Sequence, residues 1–191
     1  AETFFEPVDN NIWEEIDFSN QHDLSYAIMG YRLSVSDVKA CPRFPQVERI
    51  KKQLSIVDYV VLQGETGCGK SISVYQAAYD FCNQEWRIYK FRNNEDYVLS
   101  LPNNSEKSLY IVDDAQSLKE SDINYLKSVA SPNLKLIIAN TISSEIQSDS
   151  ILLTNNDAVE ILYNEYLKRK TEITPIVHRL DKHIGTNMSE N

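Results

Sequence analysis

Three of the chain's five glycines, Gly64, Gly67 and Gly69, fall within six residues and run directly into Lys70 and Ser71. Glycine permits positive φ and leaves no Cβ between the main chain and a bound group, so successive amides in such a loop can turn toward one anion. A following helix adds unsatisfied amides and about half a positive charge at its N-terminus. The run Gly64-Glu65-Thr66-Gly67-Cys68-Gly69-Lys70-Ser71 therefore reads as a cradle for a polyphosphate, with the Lys70 ammonium on the outer phosphates and the Ser71 hydroxyl on Mg2+. Cys68 reads as a variable position rather than a redox switch. A second chemical signal is "SLYIVDD" (108–114), whose Asp113 lies 42 residues past Ser71. An apolar strand that ends in Asp113 delivers a carboxylate to a Mg2+ shell, usually through water, because Mg2+ keeps several of its waters.

Such a loop works only between a strand and a helix, and the flanking pattern provides both. "DYVVLQ" (58–63) is a short apolar strand, and Ser71 to Cys82 places Ile72, Tyr75, Ala78 and Tyr79 on one helical face. Further strands are expected at "RIYKF" (87–91), at "SLYIVDD" after the polar loop "PNNSEKS", at "LKLIIANT" (134–141) and at "SILLT" (150–154). Between the third and fourth strands lies a helix with Ile123, Leu126, Val129 and Ala130 inward. "QVERIKKQL" lines up Val47, Ile50 and Leu54 ahead of the first strand, and two helical segments, 155–170 and 175–183, close the chain, the second with Pro175 in its first turn. Strands alternating with helices imply an α/β fold with a parallel five-stranded sheet sandwiched by helices. Three segments follow: an acidic N-terminal extension (1–42), a core (43–154) and a lid-like helical segment (155–191).

The composition narrows the function. With 191 residues and 42% hydrophobic content, the chain can bury roughly 70% of its unfolded surface. Cys41, Cys68 and Cys82 are odd in number and form no C-x-x-C pair, which argues against a disulfide framework or zinc site and for a reducing, cytoplasmic setting. No apolar run is long enough to span a membrane, and no basic-then-apolar leader is seen. A formal charge of -9, with eight acids against two bases in residues 1–40, disfavours a broad nucleic-acid contact. His22, His178 and His183 lack metal-ligand spacing, Lys168-Arg169-Lys170 reads as a solvated helix end, and Trp13 and Trp86 read as packing residues.

The glycine run is the G-x-x-x-x-G-K-[ST] pattern of a P-loop, or Walker A motif, and "LYIVDD" stands where a Walker B strand would. With one strand-helix crossover between them, residues 43–170 resemble the P-loop ATPases of the AAA+ and related STAND type. The resemblance implies that Asp113 serves the metal while Asp114 orients the attacking water. Aspartate there, where most AAA+ members carry glutamate, is similar to the paired aspartates of STAND proteins and implies slow or conditional hydrolysis. "IIANT" resembles the sensor 1 strand, which gives Asn140 a contact to the γ-phosphate or the lytic water, with Thr141 as the alternative; a loop-capping asparagine is the competing reading. By the same resemblance Arg92 or Arg169 could be an arginine finger, Arg179 a sensor 2 arginine or simply a surface one, and adenine contacts would come from Arg43 to Val47. The implied function is an ATPase that binds Mg-ATP, hydrolyses it, and uses the nucleotide to control assembly or conformational switching, with ATP or ADP and a second copy or protein partner as its companions. ATP is favoured over GTP because no N-K-x-D motif appears. The alternatives are a small nucleoside or nucleotide kinase and a non-hydrolysing ATP-dependent binding module.

Overall fold

Strands covered on both faces must be apolar nearly throughout, and the central segments of this chain meet that demand. In the computed structural model, which describes residues 12–29, 31–92, 97–101, 106–142 and 149–184, every residue of "SLYIV" is buried. The ends of the N- and C-terminal segments and part of the polar loop before "SLYIV" lie outside the described residues.

In chain order the elements are β1 (Trp13–Glu15), α1 (Ser25–Ile28), a 3-10 turn (Val35–Asp37), α2 (Gln46–Ile56), β2 (Tyr59–Gly64), α3 (Lys70–Cys82), β3 (Arg87–Phe91) and β4 (Ser108–Val112). A second 3-10 turn (Ala115–Ser117), α4 (Glu120–Val129), β5 (Leu134–Thr141), β6 (Ile151–Leu153), α5 (Asn155–Lys168) and α6 (Lys170–Ile184) complete the chain. The strands form one sheet in the order β1-β3-β4-β5-β2-β6. From β2 the chain crosses to β3, returns through β4 to β5 beside β2, and then places β6 on the other side of β2. The crevice at the C-terminal ends of the strands therefore opens beside β2, where the strand order reverses, which is where open α/β sheets bind ligands.

Alternation along β2 divides the core. Val60 and Leu62 face the layer of α2 and α3, with Val47, Ile50, Ile72 and Ala78, whereas Val61 faces the opposite layer with Tyr110, Ile138 and Leu126 of α4. Five strands run parallel, but the expected five-stranded parallel sheet is in fact mixed and six-stranded, because β1 pairs antiparallel with β3. The N-terminal segment adds that edge strand because Trp13 is only 3% exposed, meets Phe91 and Tyr110 edge-on and donates its indole N–H to the Ser100 carbonyl at 2.8 Å. Farther along, Leu24 and Ala40 pack with Ile176, Ile173 and Leu180. That apolar stripe explains a second difference. The last helix begins at Lys170 and runs through Pro175 instead of starting there, since burying Ile173 together with Ile176 offsets the hydrogen bond that proline cannot donate.

Residues 41–44 are tied to α3 by one buried amide. Gln76 accepts the Phe44 N–H at 3.1 Å and donates to the carbonyls of Pro42 at 3.0 Å and Cys41 at 3.4 Å. Among the described residues no helix is long and apolar enough to cross a membrane.

Two stability measurements check these anchors. Trp13→Ala removes a buried aromatic and its hydrogen bond and should cost about 3 kcal/mol in urea unfolding; a loss below about 1 kcal/mol would show that β1 adds little to the sheet. Gln76→Leu leaves buried main-chain groups without their partner and should cost about 2 kcal/mol, whereas wild-type stability would contradict the role given to that amide.

Candidate functional site

The loop between β2 and α3 is shaped by its glycines. Gly67 and Gly69 have φ of 85° and 88°, a region that residues with a Cβ rarely adopt. At Gly69 a Cβ would also stand 2.6 Å from the Phe44 ring, and at Gly64 one would stand 2.5 Å from Cys68 Sγ and 2.7 Å from the Leu153 carbonyl. Cys68, read from the sequence as a position without special demands, is instead 1% exposed and fills the inside of the loop. Burial pushes its thiol up, with Lys70 beside it pulling the other way. Glu65, Thr66 and Gly67 are exposed along the outer edge.

Lys70, the first residue of α3, is buried, and its Nζ donates to the carbonyls of Gly64 at 2.8 Å and Glu65 at 2.6 Å. Ser71 donates its hydroxyl to Asp113 Oδ1 at 3.2 Å. One helical turn later the Tyr75 hydroxyl, pushed up by burial and by Asp113, donates to Asp113 Oδ2 at 3.3 Å. The Asp114 N–H completes the set on Asp113 Oδ1 at 3.1 Å. Asp113 is thus held from both sides just past the end of β4.

Asp114 takes a left-handed conformation with φ 56° and ψ 43°, uncommon for a residue with a Cβ, and its carboxylate is exposed. There it meets the Arg32 guanidinium, whose Nη2 lies 2.8 Å from Asp114 Oδ2 and 3.9 Å from Asp113 Oδ2. The hydrogen bond from Arg32 holds the Asp114 carboxyl below the usual carboxylate range. Asn140 and Thr141 on β5 are register partners of Gln63 and Gly64 on β2. Gln116 accepts the Thr141 N–H at 3.3 Å. The Asn140 side-chain oxygen is buried without a hydrogen-bond partner among the described residues. A cavity of about 540 Å³, lined by Arg32, Tyr75, Lys90, Arg92, Asp113 and Asp114 among others, opens alongside.

The structure therefore gathers Gly64, Gly69, Lys70, Ser71, Asp113, Asp114 and Asn140 around the C-terminal ends of β2, β4 and β5. The other arginines considered from sequence are differently placed. Arg92 pairs with Glu14 at 3.6 Å on the cavity wall, Arg169 pairs with Glu172 at 2.7 Å and donates to the Ala40 carbonyl at 2.9 Å, and Arg179 is exposed. Arg43 bridges Asp80 and Glu48, while its neighbour Phe44 lies on Gly69.

Sequence reasoning missed Arg32, Tyr75 and Gln116. The spacing of Tyr75 four residues after Ser71 was a usable signal, since such residues share a helix face; Arg32 offered none. Among the described residues no group of three or more His, Cys, Asp or Glu side chains is placed to hold a metal ion. A serine hydroxyl beside one carboxylate is nevertheless a fitting pair of oxygen ligands for Mg2+, which fills its remaining positions with water and phosphate.

No curated protein matches the chain. Among solved structures the chain is similar to PCH-2 of C. elegans, at 12% identity and a TM-score of 0.39, over 78% of this chain and 49% of that one; the chain thus spans about half the length of that relative. The family model described as Novel STAND NTPase 3 matches residues 43–172, more than half of the chain and the whole of the glycine loop, the paired aspartates and β5. The chain belongs to the Novel STAND NTPase 3 family.

Proposed function

We propose that the chain binds Mg-ATP at Gly64–Ser71 and hydrolyses it slowly, using the bound nucleotide to control assembly or a conformational switch. The observation that carries this reading is the hydrogen bond that joins Ser71 to Asp113, because it brings a hydroxyl and a carboxylate suited to one hard cation next to a glycine loop that ends in a lysine. The unpartnered oxygen of Asn140 supports it further, since a buried acceptor without a donor costs stability that a bound ligand or water can return.

In this reading each side chain has a separate task. Gly67 and Gly69 let the loop amides turn inward, and Lys70 exchanges the carbonyls of Gly64 and Glu65 for phosphate oxygens. Ser71 and Asp113 would hold the metal, with Asp113 aligned by Tyr75. When bound, Mg2+ supplies charge neutralisation on the phosphate oxygens. Asp114, ionised across neutral pH, orients a water by accepting its hydrogen bond, and Asn140 steadies the water or the terminal phosphate. Strong proton abstraction is not required of Asp114, because phosphoryl transfer passes through a loose transition state in which positioning and electrostatics dominate. Phe44 against Gly69 puts residues 43–47 beside the loop, on the side where an adenine would be read. Self-association, with a second copy completing the site, belongs to the same reading.

Phosphate release from Mg-ATP, measured across a range of protein concentrations, tests the proposal. Lys70→Ala should lose nucleotide binding by a factor of 100 or so, as expected when a buried charge-assisted contact of about 3 kcal/mol is removed. Asp114→Asn should keep ATP while turnover falls at least tenfold. Turnover that survives in a folded Lys70→Ala variant would overturn the site, and binding without any turnover in the wild type would favour a nucleotide-dependent binding module.

A further inference from the structure

Arg32 reaches the site from a segment that does not belong to the sheet. Its backbone is fixed on one side by a capped turn: Ser34 accepts the Ser36 N–H at 3.2 Å and donates its own N–H and hydroxyl to Asp37 at 2.7 and 2.9 Å. Asp37 is 2% exposed and is gripped a second time by His22 at 3.0 Å. Leu33 packs against the main core. The Arg32 side chain itself is 73% exposed, so no packing demand sends it toward the aspartates. Its direction is set by charge, and the guanidinium stands on the two carboxylates assigned above to the metal and to the water.

Those two occupants are incompatible in charge. A divalent cation held by Asp113 and Ser71 would lie close to the guanidinium, and the like charges would repel, though only modestly because the Arg32 side chain is exposed to solvent. A water drawn to Asp114 Oδ2 would have to share that oxygen with Arg32. The adjoining cavity gives the displaced side chain room, with Glu14 on its wall as a second carboxylate. On the reading that Asp113 and Ser71 hold Mg2+, we infer that Arg32 is a metal-competing latch: it pairs with Asp114 and Asp113 until Mg2+ loads with the nucleotide, and its side chain then swings into the adjoining cavity.

The test is a Mg2+ titration of fluorescent ADP or ATP binding to the wild type, Arg32→Ala and Arg32→Lys. The exposed side chain makes a folded Arg32→Ala variant the expectation. Removing an exposed ion pair should lower the half-saturating Mg2+ by about two- to fivefold, and Arg32→Lys should stay near wild type. An unchanged half-saturation would overturn the latch. A higher one would also overturn it and would make Arg32 a nucleotide-binding residue instead. If the wild type binds nucleotide without any Mg2+ dependence, or not at all, the metal site itself fails, an outcome distinct from failure of the latch alone.

Discussion

The register of β5 between β2 and β4 is the constraint on which the site depends. Val61 on β2 and Val112 on β4 both pair with Ile138, where β4 ends, while β2 runs on to Gly64 beside Thr141. Asp113 then stands beside the start of α3, within hydrogen-bond distance of Ser71, although the two strands do not touch each other. A slip of one residue in either pairing would turn Val61 or Val112 to the wrong face and bury the wrong side chains. The hydrophobic pattern that packs the sheet therefore also fixes the distance between hydroxyl and carboxylate.

The glycine loop depends on the same packing from above and below. Phe44 on Gly69 and Cys68 under Gly64 close it into one shape, and Gln76 holds the Phe44 segment in place through main-chain hydrogen bonds. Consequently the loop is not a free ribbon that a phosphate must organise, and part of the ordering cost of binding is met by folding. In the proposed function Lys70, held by two loop carbonyls, is the group whose partners would change. A lysine ammonium has three rotatable donors on a flexible stem, which suits such an exchange.

How much of this was legible in the sequence varied with how local the cause was. The glycine turn at Gly64, Gly67 and Gly69 and the helix after it were legible because the backbone demand acts within eight residues, and the strand ahead of Asp113 was legible because strand burial is written in composition. The family match over residues 43–172 agrees with that local reading at the level of the NTPase superfamily. β1 was not assigned because three residues carry no measurable period, and its stability comes from Trp13 packing on residues far along the chain. Pro175 misled for a related reason: its local preference for a first turn yields to the apolar stripe of Ile173, Ile176 and Leu180 against the N-terminal segment. Arg32 was invisible, since a surface arginine and an aspartate 82 residues away meet only through the fold.

The most direct test of the central claim is a crystal structure of the chain with Mg2+ and a non-hydrolysable ATP analogue. The account requires density for the metal against Ser71 and Asp113, with Lys70 Nζ on a phosphate rather than on the Gly64 and Glu65 carbonyls. Nucleotide bound elsewhere, or a filled loop in which Lys70 keeps its carbonyl partners and Asp113 stays off the metal, would contradict it.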